Sequence, residues 1–559
     1  MSEKRRIIIV GGVAGGMSAA TRLRRLDETA EIIVFERGHY VSFANCGLPY
    51  YVGGIITNRN SLLLQTPESL AAWFRLDVRI RCEVVALDAA RKVVVVRDVA
   101  SGQLSDYDYD TLILAGGATT THAMSHETIP AFTLRSVEDV DHITATLAYQ
   151  DTTATAVVIG GGFIGVEAVE NLSHRGIRVV LAQRGAHVLS PLDPELAALV
   201  HDRLVASGID VRTGVIVTGS HDDVVELSDG TEVHADLVID ASGVHPDASL
   251  ARDAGLRIGP SGGIWVDSAQ RTSDRAIYAV GDGAEKIDSV DGSGTLVTMA
   301  GLANRHGRAA ADSIAGIPAP AAPALGTAIV GLFGQTIAMT GWSEKRLVAA
   351  GRSHRIIHTH PGSHAGYYPG AETMHIKLLV DPDTDAILGA QIVGGDGVDK
   401  RIDVLATAMT AGITASGLSR LELAYAPQYG SAKDPINQLG YVADNIATGV
   451  TRSIQWHELQ GVLASGATLI DVRSAAEFAA GSIPDAINVP LDELRERLGD
   501  LPDTPLIVHC QVGQRGHTAS RLLGQHGFDV RNLDGGYATW AAGTSMIVSA
   551  PHANTNAAR

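Results

Sequence analysis

Twice in the first third of this chain a short β-branched run ends in a glycine cluster and resumes as a helix. That repeat constrains the fold more than any other feature. The first copy is Ile7-Ile8-Ile9-Val10, then Gly11-Gly12-Val13-Ala14-Gly15-Gly16, a helical stretch to about Leu26 and a strand over 32–35 that ends at Glu36. The second is Ala156 to Ile159, then Gly160-Gly161-Gly162-Phe163-Ile164-Gly165, a helix to about His174 and a strand over 178–182. Each reads as a βαβ unit, which predicts parallel, doubly wound sheets and two separate nucleotide sites. The glycines allow a tight turn and close backbone approach to a pyrophosphate, while the helix that follows offers free N–H groups and a partial positive charge.

The first loop carries Val13 where the standard fingerprint has its second glycine, but Ala14, Gly15 and Gly16 keep it small. Glu36 ends the next strand, placed to accept ribose hydroxyls, and this unit is the candidate FAD site. Ile277-Tyr278-Ala279-Val280-Gly281-Asp282 resembles the second flavin signature of the two-dinucleotide flavoprotein reductases, in which the aspartate binds the ribityl chain. In the second unit Gln183-Arg184 stands where an acid would bind the ribose of NAD. An arginine there accommodates a 2′-phosphate, so the sequence leans to NADPH or to dual use of NADH and NADPH.

At 559 residues the chain is too long for one core, and roughly three or four domains are expected. With 45% hydrophobic and 19% charged residues its composition is that of a folded globular protein. The net charge of −18 argues against nonspecific nucleic-acid binding, which needs clustered Lys and Arg. No apolar run approaches the roughly 20 residues of a membrane span, and the run after Arg6 is too short for a signal peptide. Three cysteines cannot make a disulfide framework, so reduced thiols and a cytoplasmic location are expected. No His/Cys cluster has ligand spacing, and no metal site is expected. Ile317 to Pro323 reads as a linker, the pattern weakens again around Ala443 to Ser453, and the polar tail beyond Trp540 reads as frayed.

Cys46 lies in Val41-Ser42-Phe43-Ala44-Asn45-Cys46-Gly47-Leu48-Pro49-Tyr50-Tyr51, just after the first βαβ unit, with no second cysteine nearby. A lone redox cysteine must form a mixed disulfide with its substrate or oxidise to a sulfenic acid. Cys82 has nothing around it that suggests a site.

SFANCGLPYY and the GGVAGG loop resemble the coenzyme A disulfide reductase family of single-cysteine flavoproteins, over residues 5 to about 445. His364-Ala365-Gly366-Tyr367-Tyr368-Pro369-Gly370, Lys400-Arg401-Ile402-Asp403, Ala424-Tyr425-Ala426-Pro427 and Lys433-Asp434-Pro435 extend the match. The resemblance implies a homodimer whose last third completes the partner's active site. It implies that Tyr367 and Tyr425 face the cysteine and flavin across the dimer. It further implies that Ser18, Arg22, Arg25, Ser42, Asn45 and Lys433 contact coenzyme A. Arg22 and Arg25 sit about one turn apart on one helix face, which suits a phosphate-bearing ligand.

Residues 454 to 546 resemble a single rhodanese domain, on Leu469-Ile470-Asp471-Val472-Arg473, Glu477-Phe478, Gly481-Ser482-Ile483-Pro484, Ala486-Ile487-Asn488 and Asp534-Gly535-Gly536. At its centre Cys510-Gln511-Val512-Gly513-Gln514-Arg515 follows the strand Leu506 to Val508. A cysteine ending a strand before a tight loop and a helix receives backbone N–H groups at its sulfur, which stabilises a thiolate or persulfide. Arg515 adds a fixed positive charge, and His509 alternates to the other face of the strand and reads as structural.

The expected architecture is α/β: two Rossmann-like dinucleotide-binding domains, an α+β dimerisation domain and a C-terminal α/β rhodanese domain. The boundaries are 1–120 with 246–320 for FAD, 121–245 for NAD(P), 325–445 for dimerisation and 454–546 for the rhodanese. The fusion points to persulfide traffic, with Cys510 as sulfane-sulfur carrier and Cys46 attacking the sulfur–sulfur bond of coenzyme A persulfide, polysulfide or disulfide. Three alternatives stay open: a coenzyme A disulfide reductase with an incidental rhodanese, an NAD(P)H oxidase or peroxidase, and a sulfur relay or redox sensor without turnover. Against the oxidase or peroxidase, no histidine follows the first glycine turn.

Overall fold

The computed structural model describes residues 4–121, 129–148, 154–318 and 320–549. The stretch beyond Trp540 read as frayed is helical as far as Ser549, and residues 550 onward, with the first three, lie outside that description. The described residues form two compact units, one within Met1–Val180 and Val217–Gly326, the other within Leu181–Ile216 and Thr327–Arg559.

The unbroken apolar run near the N-terminus becomes the central strand of a five-stranded parallel sheet, Arg6–Val10. Its neighbours are Glu31–Phe35 and Asp77–Arg79 on one side, Thr111–Leu114 and Ile277–Ala279 on the other. Side chains alternate across a strand. Ile7 and Ile9 therefore pack with Leu23, Ala310, Ala311 and Ile314 beneath helices Ala14–Leu26 and Ala300–Ile314. Ile8 instead meets Phe35, Val94 and Val96 under the antiparallel sheet Cys82–Asp88, Val93–Asp98 and Leu104–Asp108. Burial on both faces is why the strand shows no polar alternation, and each such isoleucine contributes roughly 2 kcal/mol. The carboxyl ends of these strands deliver Gly11, Glu36 and the Gly281-Asp282 turn to one edge, the usual ligand position in a doubly wound sheet.

A second parallel set, Thr155–Ile159, Leu237–Asp240 and Ala131–Phe132, carries the second glycine loop and helix Phe163–His174. Among its described residues the linker segment has no helix or strand, yet it is tied down: Ala321 N–H donates to Ser268 O at 2.7 Å and, just beyond it, Ala324 N–H to Ile287 O at 2.7 Å.

The second unit holds helix Pro194–Ala206 and an antiparallel sheet. Its strand order is Ala328–Leu332, Gln335–Gly341, Ile387–Gly394, His375–Val380, Arg355–Thr359. Helices Val398–Ala411 and Pro435–Ala447 cover it over a core that includes Ile376, Leu378, Ile392, Leu405 and Leu439. A final parallel sheet, Ser453–Ile454, Val530–Leu533, Leu506–His509, Thr468–Asp471, Ile487–Asn488, places the strand before Cys510 at its centre. Helix Gly536–Ser549 closes this part and packs on helix Pro194–Ala206.

Candidate active site

The two glycine loops are built alike. Gly11 (φ +104°) and Gly160 (φ +98°) turn in the left-handed region that favours glycine, and an added Cβ would come 2.3 Å from Ala115 O and 2.4 Å from Ala241 O. A Cβ on Gly16 would fall 2.0 Å from Gly11 O, and one on Gly165 1.8 Å from Gly160 O, so each helix starts against its own loop. Val13 and Gly162 are the residues preceding these helices; no side chain caps either helix and no acid occupies either first turn. Gly162 and Gly281 face open space where a Cβ would stand. Uncapped N–H groups beside such openings fit an anionic pyrophosphate. Gly15 packs on Val280, and Ala14 opens its helix.

Glu36 accepts the Gly12 N–H at 2.8 Å through one oxygen and the Gly38 N–H at 2.8 Å through the other. Each oxygen keeps a lone pair for a ribose hydroxyl. Asp282 is half-buried; burial raises its carboxyl, opposed by Lys286 and Arg135. Lys286, pushed down to about 8 by burial, donates to Gly281 O at 2.5 Å and Ala284 O at 2.7 Å and so pins this turn. These residues suit FAD, which when bound carries two electrons from a nicotinamide hydride to a sulfur atom.

At the second loop Phe163 and Ile164 start the helix, with Ile164 39% exposed. Gln183 is buried, its amide donating to His187 O at 3.1 Å, whereas Arg184 beside it is exposed. Arg184 is the exposed member of the pair.

Cys46 is exposed on the turn Asn45–Gly47, which runs into helix Leu48–Val52. Surrounding protein and the carboxylates of Glu167 and Asp282 raise its thiol above the ordinary value. One turn on, Tyr50 donates to Glu167 Oε1 at 3.0 Å and is pushed up to about 12 by burial and by Glu167. Burial also raises Glu167. Sequence reading passed over this Tyr50–Glu167 pair. Tyr50 falls inside the quoted motif and Glu167 two residues beyond Gly165, but the two are 117 positions apart and no spacing rule joins them.

The expected coenzyme A contacts divide. Ser42 has φ +47° and its N–H donates to Gly12 O at 2.8 Å, fixing the cysteine segment to the first glycine loop. Asn45 is exposed next to Cys46. Ser18 is hydrogen-bonded to Asn304 at 2.9 Å. Arg22 is engaged by Asp312 at 2.6 Å, while Arg25 is exposed with its guanidinium 5.8 Å from the Phe74 ring centre. The basic pair is thus one arginine held by a carboxylate and one exposed arginine over an aromatic ring.

In the second unit Tyr367 and Tyr425 are brought together, their hydroxyls 2.8 Å apart and their rings 75% and 49% exposed. The Tyr425 hydroxyl raises that of Tyr367. Lys433 is exposed.

Cys510 ends strand Leu506–His509 fully buried, and its loop reaches helix Gln514–Gln525 through Gly513 (φ +90°). Tyr537 N–H donates to Cys510 O at 2.8 Å. Arg515 does not offer an unpaired charge: Glu477 binds it twice, at 2.8 and 2.6 Å, and is itself held down to about 2 by that pairing. The expectation from sequence missed Glu477 as the neutralising partner. His509 is fully buried, its Nε2 3.6 Å from Asp471 on the neighbouring strand. Among the described residues no group of three or more His, Cys, Asp or Glu could hold a metal ion, and no helix is long and apolar enough to cross a membrane.

Comparison with known proteins agrees with this layout. Residues 5–300 match the pyridine nucleotide-disulphide oxidoreductase family, 327–434 its dimerisation domain and 455–543 the rhodanese-like domain. Coenzyme A disulfide reductase of Staphylococcus haemolyticus is 33% identical over 443 residues, 79% of this chain and 100% of the relative. Crystalline reduced CoADR-RHD of Bacillus anthracis is 44% identical with a TM-score of 0.93, over 97% of this chain and 98% of that one. An NAD-dependent persulfide reductase from A. fulgidus is 36% identical with a TM-score of 0.89, over 96% and 100%. With two glycine loops, an exposed cysteine beside the first and a further cysteine in its own C-terminal domain, this chain belongs to the pyridine nucleotide-disulphide oxidoreductase family, as an FAD-dependent, NAD(P)H-using reductase that carries a rhodanese-like domain.

Proposed function

We propose that this reductase acts on sulfane sulfur carried by coenzyme A, releasing sulfide and the thiol. The observation that carries the reading is the pairing, in one chain, of a lone exposed Cys46 with a rhodanese-type Cys510 at the start of a tight loop. The likeness to a protein named as a persulfide reductase over nearly its whole length supports it.

Cys510 takes sulfane sulfur as Cys–S–S⁻ and passes it to the coenzyme A thiolate, giving coenzyme A persulfide. Cys46 must lose its proton to attack, and Glu167, whose pKa burial holds up, is a nearby base, with Tyr50 as its hydrogen-bond partner. Attack on the outer sulfur forms Cys46–S–SH and expels the coenzyme A thiolate; attack on the inner sulfur forms Cys46–S–S–CoA and expels HS⁻. Two electrons from NAD(P)H then cleave the new bond at Cys46, returning its thiolate and releasing the remaining thiol or sulfide. In a homodimer formed through the dimerisation domain, Tyr367 and Tyr425 of the second copy orient or protonate the leaving group, and Ser18, Arg25, Ser42, Asn45 and Lys433 line the coenzyme A path. Exposed Arg184 favours NADPH or dual use.

The second reading, coenzyme A disulfide reduction as the main task, draws on the names of the Staphylococcus relatives. Anaerobic sulfide release from coenzyme A persulfide, with NADH and NADPH, separates the two. Fast release that Cys46→Ser abolishes while FAD stays bound is the expected result. Brisk turnover of the disulfide without sulfide release from the persulfide would overturn it.

A further inference from the structure

His358, on strand Arg355–Thr359, is fully enclosed and bridges segments far apart in the chain. Its Nδ1 donates to Asp534 Oδ2 at 2.8 Å and its backbone N–H reaches the same oxygen at 2.9 Å. Its Nε2 donates to Glu195 Oε1 at 3.0 Å, in the first turn of helix Pro194–Ala206. Asp534 opens the Asp534-Gly535-Gly536 turn, and that turn lies against the Cys510 loop. A Cβ on Gly535 would stand 2.9 Å from His358 Cβ, and one on Gly536 would come 2.4 Å from Cys510 O. The next two amides, Tyr537 and Ala538, donate to Cys510 O at 2.8 Å and Gln511 O at 3.0 Å. From His358 the path runs through the Asp534 carboxylate and then through main chain and two glycines to the Cys510 backbone.

We propose that His358 is a positioning residue for sulfur transfer: clamped between Asp534 and Glu195, it fixes the Asp534–Gly536 turn and thereby the loop that aims the Cys510 sulfur. The inference rests on the reading of Cys510 as a sulfur carrier and adds to it a residue from outside the rhodanese domain.

The clamp depends on charge. Burial works against an imidazolium here, but hydrogen bonds and attraction from Asp534 and Glu195 outweigh it and push His358 up to about 9. The other groups facing it are settled. Lys377 holds Glu195 from the sheet side together with Asp193 and Glu344, at 2.5, 3.0 and 2.6 Å respectively. His360, which meets Thr539 at 2.8 Å and His375 at 2.9 Å, is kept neutral by burial and by its histidine neighbours. A group whose pKa is raised on folding contributes below that value and loses its contribution as pH rises through it. The clamp therefore holds at neutral pH and loosens above about 9.

The test uses the full-length, FAD-loaded protein, with thiosulfate-to-cyanide sulfur transfer and NAD(P)H-driven coenzyme A disulfide reduction measured on the same samples. His358→Gln and Asp534→Asn should each lower kcat for sulfur transfer about tenfold at neutral pH, as misplacing a reacting group does, with the KM for thiosulfate and the disulfide reduction unchanged. The ratio of variant to wild-type transfer should climb toward one above pH 9, where the wild type has lost its own clamp. Wild-type transfer in either folded variant, or a ratio flat with pH, overturns the proposal. Should His358→Gln fail to fold, Asp534→Asn decides alone. A wild type that transfers no sulfur refutes the Cys510 reading itself, a different failure from a transferring protein indifferent to His358.

Discussion

Lys377→Met keeps the length and apolar stem of the side chain and deletes its charge, which isolates what the ammonium does. Lys377 is fully buried, with Nζ 2.5 Å from Glu195, 2.6 Å from Glu344 and 3.0 Å from Asp193. Burial disfavours the ammonium, and the three carboxylates outweigh it, so the group stays charged. Removing it leaves the buried Asp193 and Glu195 without the cation they share with the partly exposed Glu344. Breaking one side of a buried pair costs about 3–5 kcal/mol, because the surviving charge is stranded. For a unit of this size that corresponds to a fall of roughly 10 °C in the transition that melts it. Scanning calorimetry of the FAD-loaded protein reads the shift, with Arg452→Ala as control, since the Arg452–Asp529 pair is 58% and 57% exposed and should not matter. The pH dependence has a definite sign. Burial raises the Glu195 carboxyl, but Lys377 and then His358 hold it well below its ordinary value. A depressed acid stabilises above the unfolded carboxylate range and loses that contribution as pH falls through the folded value. The deficit of Lys377→Met should therefore be largest at neutral pH and shrink below about pH 4. A deficit under about 1 kcal/mol at neutral pH, no larger than that of an exposed pair, would refute the reasoning.

Gly16→Ala should lose FAD and Gly165→Ala should lose reduction of bound FAD by NAD(P)H, because each Cβ meets a loop carbonyl at 2.0 or 1.8 Å; flavin absorbance under anaerobic titration checks both, and a fully reducible Gly165→Ala would count against the second loop as the nicotinamide site. Glu167→Gln removes a carboxylate that raises the Cys46 thiol, so alkylation of Cys46 in the FAD-free protein should quicken, by less than about tenfold since burial remains; slower alkylation would contradict it. Glu477→Gln frees the Arg515 charge and should speed uptake of sulfur from thiosulfate at Cys510, while Arg515→Ala slows it; changes in the same direction would show that the pair acts only in packing.

What the sequence determined by itself is whatever depends on neighbours along the chain. Gly11, Gly16, Gly160 and Gly165 could be read because a turn that tight admits no Cβ, a local steric rule. The βαβ units, the strand leading into Cys510 and the glycine that lets its loop turn follow from the same short-range logic, and the helices Ala14–Leu26 and Phe163–His174 end where the pattern ends. The tertiary structure alone decided which polar groups meet. Tyr50 finds Glu167 across 117 positions, and His358 joins Glu195 and Asp534 across 163 and 176. Arg22 reads as a phosphate contact until Asp312, 290 positions away, is seen to engage it, and the Arg515 charge beside Cys510 is seen to be shared with Glu477 only in the fold. A hydrogen bond needs its partners within about 3 Å. Chain-local sterics and periodicity carry no such distance between remote segments, because packing of whole sheets and helices sets it only after the local elements exist.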